Sequence, residues 1–184
     1  MTSALNPSQW YSALRGYKEF QPNHGSAIAS IAFHFFDTHA SRIEAMLGGP
    51  PTVFTIVPSK QGKSYSQQPL RAALSRVETL KNRLRHTLLH RGSQTYARRQ
   101  YCPEIFAPGP IEVRGERIVL IEDTWVTGAT AVSAAGALLE NGATAVGIFP
   151  VARVLNAEYW PGDHPYRLAM QREFDPYDPT RWPR

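Results

Sequence analysis

The chain has 184 residues, 42% of them hydrophobic, and a formal net charge of +5 from 20 Lys and Arg against 15 Asp and Glu. That length suits one domain with a sizeable core and is short for two, and the apolar share is that of a folded protein rather than a disordered one. No charge-free apolar run reaches membrane-spanning length, and Phe33 to Phe36 is only a local cluster. The start of the chain, with Asn6, Gln9 and Trp10, has neither the basic residues nor the apolar stretch of an export signal, so a cytoplasmic location is expected. Cys102 is the only cysteine, which excludes an intramolecular disulfide and a multi-cysteine metal site and agrees with a reducing compartment. The positive charge suits nucleic acid or a small phosphorylated substrate equally well.

The pattern predicts one domain, 1–184, in three zones. Residues 1–49 read as a helical hood. Trp10 to Phe20 forms a short helix with Leu14 and Tyr17 on one side and Lys18 and Glu19 facing water. Ser26 to Leu47 carries Ile28, Ile31, Phe35 and Ile43 at helical spacing and is stopped by Gly48-Gly49-Pro50-Pro51. Nothing in this zone reads as part of a sheet.

Residues 50–153 read as an α/β core. Thr52 to Val57 is β-branched, apolar and closed by Pro58, as a buried parallel strand should be. Leu70 to Leu89 reads as one long helix, with Leu74, Val77, Leu80, Leu84 and Leu88 inward and Arg71, Arg76, Lys81, Arg83 and Arg85 mostly toward solvent. Gly92 to Pro110, polar and basic, is longer than a usual connection; such a stretch is a mobile lid, a binding loop or an excursion containing a short strand. A strand over Arg117 to Ile121, a helix over Thr130 to Asn141 capped by a left-handed Gly142, and a strand over Ala143 to Val151 complete a right-handed parallel crossover. The expected fold is a Rossmann-like, mostly parallel sheet with helices on both faces. Residues 154–184 form a tail rich in Pro, Tyr, Trp and Asp, without a period but with too many aromatics for complete disorder.

The most informative chemistry lies in Glu122-Asp123-Thr124-Trp125-Val126-Thr127-Gly128-Ala129-Thr130. A loop at the carboxyl end of a parallel strand is where such sheets bind ligands. The amides of Val126 to Thr130, with the positive end of the following helix and the hydroxyls of Thr124, Thr127 and Thr130, can wrap a phosphate. The two acids would repel that phosphate. They suit the ribose hydroxyls of the same ligand, or a divalent cation held directly or through water. A plain strand-loop-helix connection with Thr127 or Thr130 as N-cap is the bland alternative, and it leaves the acidic pair unexplained. Neither a G-x-G-x-x-G loop nor a Gly-Lys-Ser/Thr loop is present.

A second anion loop, Ser59-Lys60-Gln61-Gly62, follows the first core strand. Ser59, Lys60 and nearby amides can bind a pyrophosphate, Gly62 lets the backbone turn, and Lys63 adds a further cation. Read alone, the same loop is a solvated basic turn. Tyr159 or Trp160, after the last core strand, can stack on a planar acceptor or anchor the tail to the core. His24, His34, His39, His86, His90 and His164 have no metal-binding spacing, and Cys102 has no base partner for nucleophilic work.

Two acids at a strand end followed by a Thr-Gly-x-Thr loop resemble the 5-phosphoribosyl-1-pyrophosphate (PRPP) motif of type I phosphoribosyltransferases. The form Glu-Asp-Thr-Trp-Val-Thr-Gly-Ala-Thr is similar to a ComF-like, amidophosphoribosyltransferase-like subgroup of actinobacteria, although Thr124 and Trp125 stand where smaller or aliphatic residues are commonest. The resemblance covers roughly Thr52 to Arg153, and it implies roles for particular residues. Glu122 and Asp123 would hold the ribose hydroxyls, and Val126 to Thr130 the 5′-phosphate. Ser59 to Gly62 would bind pyrophosphate, while Arg98, Arg99 or Tyr96 would close over it, unless that run is merely solvated. The implied reaction is phosphoribosyl transfer from PRPP to a nitrogen acceptor, assisted by Mg²⁺ bound near Asp123 and Glu122, in a homodimer. Two rivals share the motif. One is a PRPP- or nucleotide-sensing protein without catalysis. The other is a ComF-like accessory protein acting on single-stranded DNA, prompted by the basic residues from Arg83 to Arg99 but without regular aromatic interleaving.

Overall fold

The computed structural model of the chain describes residues 2–4, 14–19, 22–59, 68–85, 88–92 and 100–154. Its centre is strand β5 (Arg117–Trp125), flanked by β2 (Val53–Ile56) and β6 (Ala145–Val154), with β1 (Thr2–Ala4) outside β6. The order is β1-β6-β5-β2 and every pairing is parallel. Beyond β2, residues 83–85 run alongside it. Phe54 donates its N–H to the Arg83 carbonyl at 3.1 Å, and Arg85 donates to the Phe54 carbonyl at 2.8 Å.

Alternation along the strands divides the apolar residues between two cores. Phe54, Ile56, Val119, Ile121, Phe149 and Val151 face one side. Ile118 and Leu120, with Val146 and Ile148 packed beside them, face the other. Ile118, Leu120 and Ile121 are fully buried, each stabilising the fold by roughly 1.5–3 kcal/mol through apolar burial. A strand buried on both faces must be apolar almost throughout, which is why Ile118 to Ile121 reads as an unbroken run.

The first core is covered by α1 (Pro22–Thr38), α2 (Ala40–Leu47) and α3 (Pro69–Leu74), together with the short helical stretch 14–19. Phe35 stacks on Phe149 at 4.3 Å and Phe36 meets both Phe149 and Phe54, fixing α1 over the sheet. Gly48, left-handed at φ 69, ends α2 by donating to the Glu44 carbonyl, as the Gly-Gly-Pro-Pro stop predicts. The second core is covered by α5 (Ala129–Glu140), whose alanines and Ser133 let it lie close to the strands; α4 (Glu78–Lys81) is a single turn after α3. Gly142 takes the expected left-handed conformation at φ 98. The fold is therefore α/β, with a mostly parallel sheet between helices.

Four expectations are corrected, and one of the open readings of Gly92 to Pro110, an excursion containing a short strand, is met. The N-terminal zone does join the sheet: β1 pairs with Ala152, Arg153 and Val154 through its backbone, and a three-residue edge strand leaves no apolar pattern to detect. The helix expected over Ser26 to Leu47 is two helices, parted at His39, whose buried ring packs edge-on against Phe35. The long helix expected over Leu70 to Leu89 is broken at Ser75 to Val77, since the chain must straighten for Leu84 to reach Phe54. All five inward residues are nevertheless buried. The β5 strand continues four residues past Ile121, because its pairing with β6 persists to Trp125 and Arg153. The stretch after Leu88 contains an antiparallel pair, β3 (Leu89–Arg91) with β4 (Phe106–Pro108), packed on α5; residues 93–99 lie outside the described set. Among the described residues no helix is long and apolar enough to cross a membrane.

Burial first, and then the Arg42 charge, hold the His39 imidazole below its ordinary value. The unfolded chain therefore binds a proton more readily than the native one, so stability falls as pH drops below about 6.5, the ordinary histidine value. Urea unfolding midpoints measured between pH 7.5 and pH 5 should decline, and His39→Gln should flatten that decline.

Candidate functional site

The site is built at the carboxyl end of β5. Pairing of Ile56 with Ile121, and the Val57 N–H donated to the Ile121 carbonyl at 3.0 Å, carry the Ser59 loop out at the same sheet edge as Glu122 and Asp123. The two predicted anion loops therefore leave the sheet as neighbours. Ser59 is described and half-buried; Lys60, Gln61, Gly62 and Lys63 lie outside the described residues, as do Tyr96, Arg98, Arg99, Tyr159 and Trp160.

Because β5 remains a strand to Trp125, Glu122 and Asp123 alternate across the sheet. Asp123 follows Val119 and Ile121 toward the hood. Glu122 follows Ile118 and Leu120 toward the face covered by α5. Both are half-buried.

The hood reaches Asp123 directly. The Tyr17 hydroxyl donates to Asp123 Oδ2 at 2.5 Å, and Lys18 Nζ stands 2.8 Å from the same oxygen. Tyr17 is buried, and burial, followed by the Asp123 charge and its hydrogen bond, pushes the phenol far above its ordinary value. It stays a protonated donor throughout the working pH range. Lys18 is about half exposed, so its ion pair adds little stability but leaves a mobile cation on the acid. The sequence placed Tyr17 correctly on the inner side of its helix and placed Lys18 in water. The contact spans 106 positions, and no local pattern announces it.

The loop after Trp125 has the form an anion site requires. Val126 and Thr127 are exposed, and Gly128 is left-handed at φ 78 immediately before α5. Its carbonyl accepts the Val132 N–H at 2.9 Å, which opens the helix. The N–H groups of the first turn have no partner within a helix, and the helix dipole adds positive potential there. The Thr127 hydroxyl is 3.5 Å from the Ala129 N–H, at the limit of a cap; Gly128, rather than Thr127 or Thr130, is the N-cap residue. Thr124 is paired with Ala152 inside the sheet, so its hydroxyl starts from a strand rather than from the loop.

Gly128 is also fixed by packing. A Cβ there would lie 2.1 Å from the Trp125 ring, so the indole braces the turn from beneath. One turn into α5, buried Ser133 donates to the Ala129 carbonyl at 2.6 Å and accepts the Cys102 N–H at 2.9 Å, tying segment 100–105 to the helix start. The Glu104 carboxylate accepts a hydrogen bond from the Cys102 thiol and holds it above its ordinary value, in keeping with a non-nucleophilic cysteine. Among the described residues no three His, Cys, Asp or Glu side chains are grouped to hold a metal ion.

Gly128→Ala should destabilise the protein by about 1–3 kcal/mol, through the left-handed backbone and the clash with Trp125. Adding Trp125→Ala should recover only the clash, a partial rescue that thermal melts of the single and double variants would reveal.

No protein-family model matches the chain, and no curated protein matches it. Among solved structures it is similar to the hypoxanthine phosphoribosyltransferase of Trypanosoma cruzi, in a lysine-to-arginine mutant complexed with the product IMP. The identity is 13% and the TM-score 0.45, over 72% of this chain and 73% of that one. An asparagine mutant from work on an invariant aspartic acid in these enzymes is 14% identical, with a TM-score of 0.44 over 72% and 78% of the two chains. Another Trypanosoma cruzi structure, concerned with the C-terminal region in oligomeric state and enzymatic activity, is 12% identical, with a TM-score of 0.41 over 69% and 75%. A likeness this distant identifies neither a family, a substrate nor an activity.

Proposed function

We propose that the chain binds PRPP and transfers its 5-phosphoribosyl group to a nitrogen acceptor, a nucleobase or an amine, releasing pyrophosphate. The observation that carries this reading is the continuity of β5 into its loop. Two carboxylates stand among the last four residues of the central strand, and a left-handed glycine then turns the chain into the N-terminus of α5. One ligand with a phosphate at one end and vicinal hydroxyls at the other satisfies both halves. The phosphate lies on the amides of Val126 to Thr130, with the hydroxyls of Thr127 and Thr130. The hydroxyls of its ribose fall to Asp123 and Glu122.

The second loop, Ser59 to Gly62, would receive the pyrophosphate; its support is that Ser59 follows β2, the neighbour of β5. As the bond from the anomeric carbon to pyrophosphate loosens, negative charge grows on the leaving group and positive charge on the ribosyl centre. Lys60, with Arg98 or Arg99 closing from the stretch after β3, neutralises the first, and the carboxylates steady the second. Tyr159 or Trp160 would stack on a planar acceptor.

Mg²⁺ that arrives with its substrate would find hard carboxylate oxygens on Asp123 and, from the other face of β5, on Glu122. Bound there, the cation would supply charge neutralisation for the departing pyrophosphate. The Glu-Asp-Thr-Trp-Val-Thr-Gly-Ala-Thr form favours the ComF-like, actinobacterial subgroup, and a homodimer belongs to the same reading.

Calorimetric titration with PRPP and Mg²⁺, and pyrophosphate release across a panel of nucleobases and amines, test the assignment. Asp123→Asn should weaken PRPP binding and lower turnover by about 100-fold or more. Full affinity and activity in that variant would overturn the reading. PRPP binding without pyrophosphate release from any acceptor would instead favour a sensing protein, and steeply salt-dependent binding of single-stranded DNA the accessory role.

A further inference from the structure

Both hood contacts to Asp123 fall on one oxygen. Tyr17 and Lys18 each meet Oδ2. A carboxylate free to rotate presents either oxygen. One whose Oδ2 accepts from a phenol whose ring is packed in the core is fixed about its side-chain torsions and presents Oδ1. We infer that Tyr17 is a positioning residue for PRPP: it holds Oδ2 so that Oδ1 points at the ribose, while Lys18 balances the acid's charge before the ligand arrives. The inference rests on the phosphoribosyl reading of the site.

Geometry supports the division. Tyr17 belongs to the core under α1 and α3 and cannot swing away without opening it. Asp123 lies in β5 two residues past the fully buried Ile121, so both ends of the contact are anchored. Lys18 is different, because its half-exposed side chain can leave at little cost when a cation or a phosphate enters. The clasp therefore has a rigid donor and a displaceable one.

Tyr17→Phe keeps the ring in its core position and deletes only the hydroxyl. Affinity for PRPP with Mg²⁺ is measured by calorimetry for wild type, Tyr17→Phe, Lys18→Gln, Asp123→Asn and the Tyr17→Phe/Asp123→Asn double variant, with thermal melts alongside. Tyr17→Phe should weaken binding about tenfold, the scale of a lost hydrogen bond to a charged group, and should have almost no further effect once Asp123 is Asn. Lys18→Gln, a surface change that leaves the fold intact, should tighten binding about threefold, because it removes an ion pair that the ligand otherwise displaces. PRPP binding equal in wild type and Tyr17→Phe, or losses that simply add in the double variant, would overturn the inference and leave the phosphoribosyl reading standing. Should Tyr17→Phe melt early, an unchanged affinity in Lys18→Gln overturns Lys18's part, and the folded fraction of Tyr17→Phe still yields the affinity that decides Tyr17's. No PRPP binding by any of the five proteins would overturn both.

Discussion

The arrangement depends on β5 lying between two parallel neighbours with both of its faces buried. Pairing with β2 and β6 satisfies its backbone, and two separate cores take its alternating side chains. Only at the carboxyl end does apolar sequence give way to acid, and there the cost of burying charge is met by donors from another part of the chain. Tyr17 and Lys18 exist at that edge because α1 and α3 press the 14–19 stretch against the sheet. The site is thus assembled from two halves: a strand and loop contiguous in sequence, and a clasp brought from the other end of the fold.

That division explains what the sequence revealed. The strand, the loop and α5 are local, and their signals are local too: β-branched apolar residues, then acids, then glycine, then alanines. Gly128, Gly142 and the Gly48 stop sit where backbone geometry demands them. Three features were illegible for physical reasons. Thr2–Ala4 contributes through backbone pairing, which composition does not mark. The break at Ser75 to Val77 preserves the burial of every inward leucine, so helical periodicity survives although the helix does not. The clasp on Asp123 joins residues 106 positions apart, and Lys18, polar and near the surface, has the pattern of any solvated lysine.

The extension of β5 to Trp125 also changes the meaning of the acidic pair. Adjacent in sequence, Glu122 and Asp123 look like one chelating unit; in a strand they belong to opposite faces. Asp123 answers to the hood, Glu122 to the side of α5 and the β3–β4 excursion. The Asp123 carboxylate is hydrogen-bonded by Tyr17, while Glu122 lies in a different neighbourhood.

The indole of Trp125 lies against the turn that leads into α5, with no room between ring and backbone for a methyl group. An aromatic chromophore so placed feels any shift of that backbone as a change in its own electrostatic surroundings. On the proposed reading of the loop, Trp125 would serve as an optical gauge of whether that loop is filled.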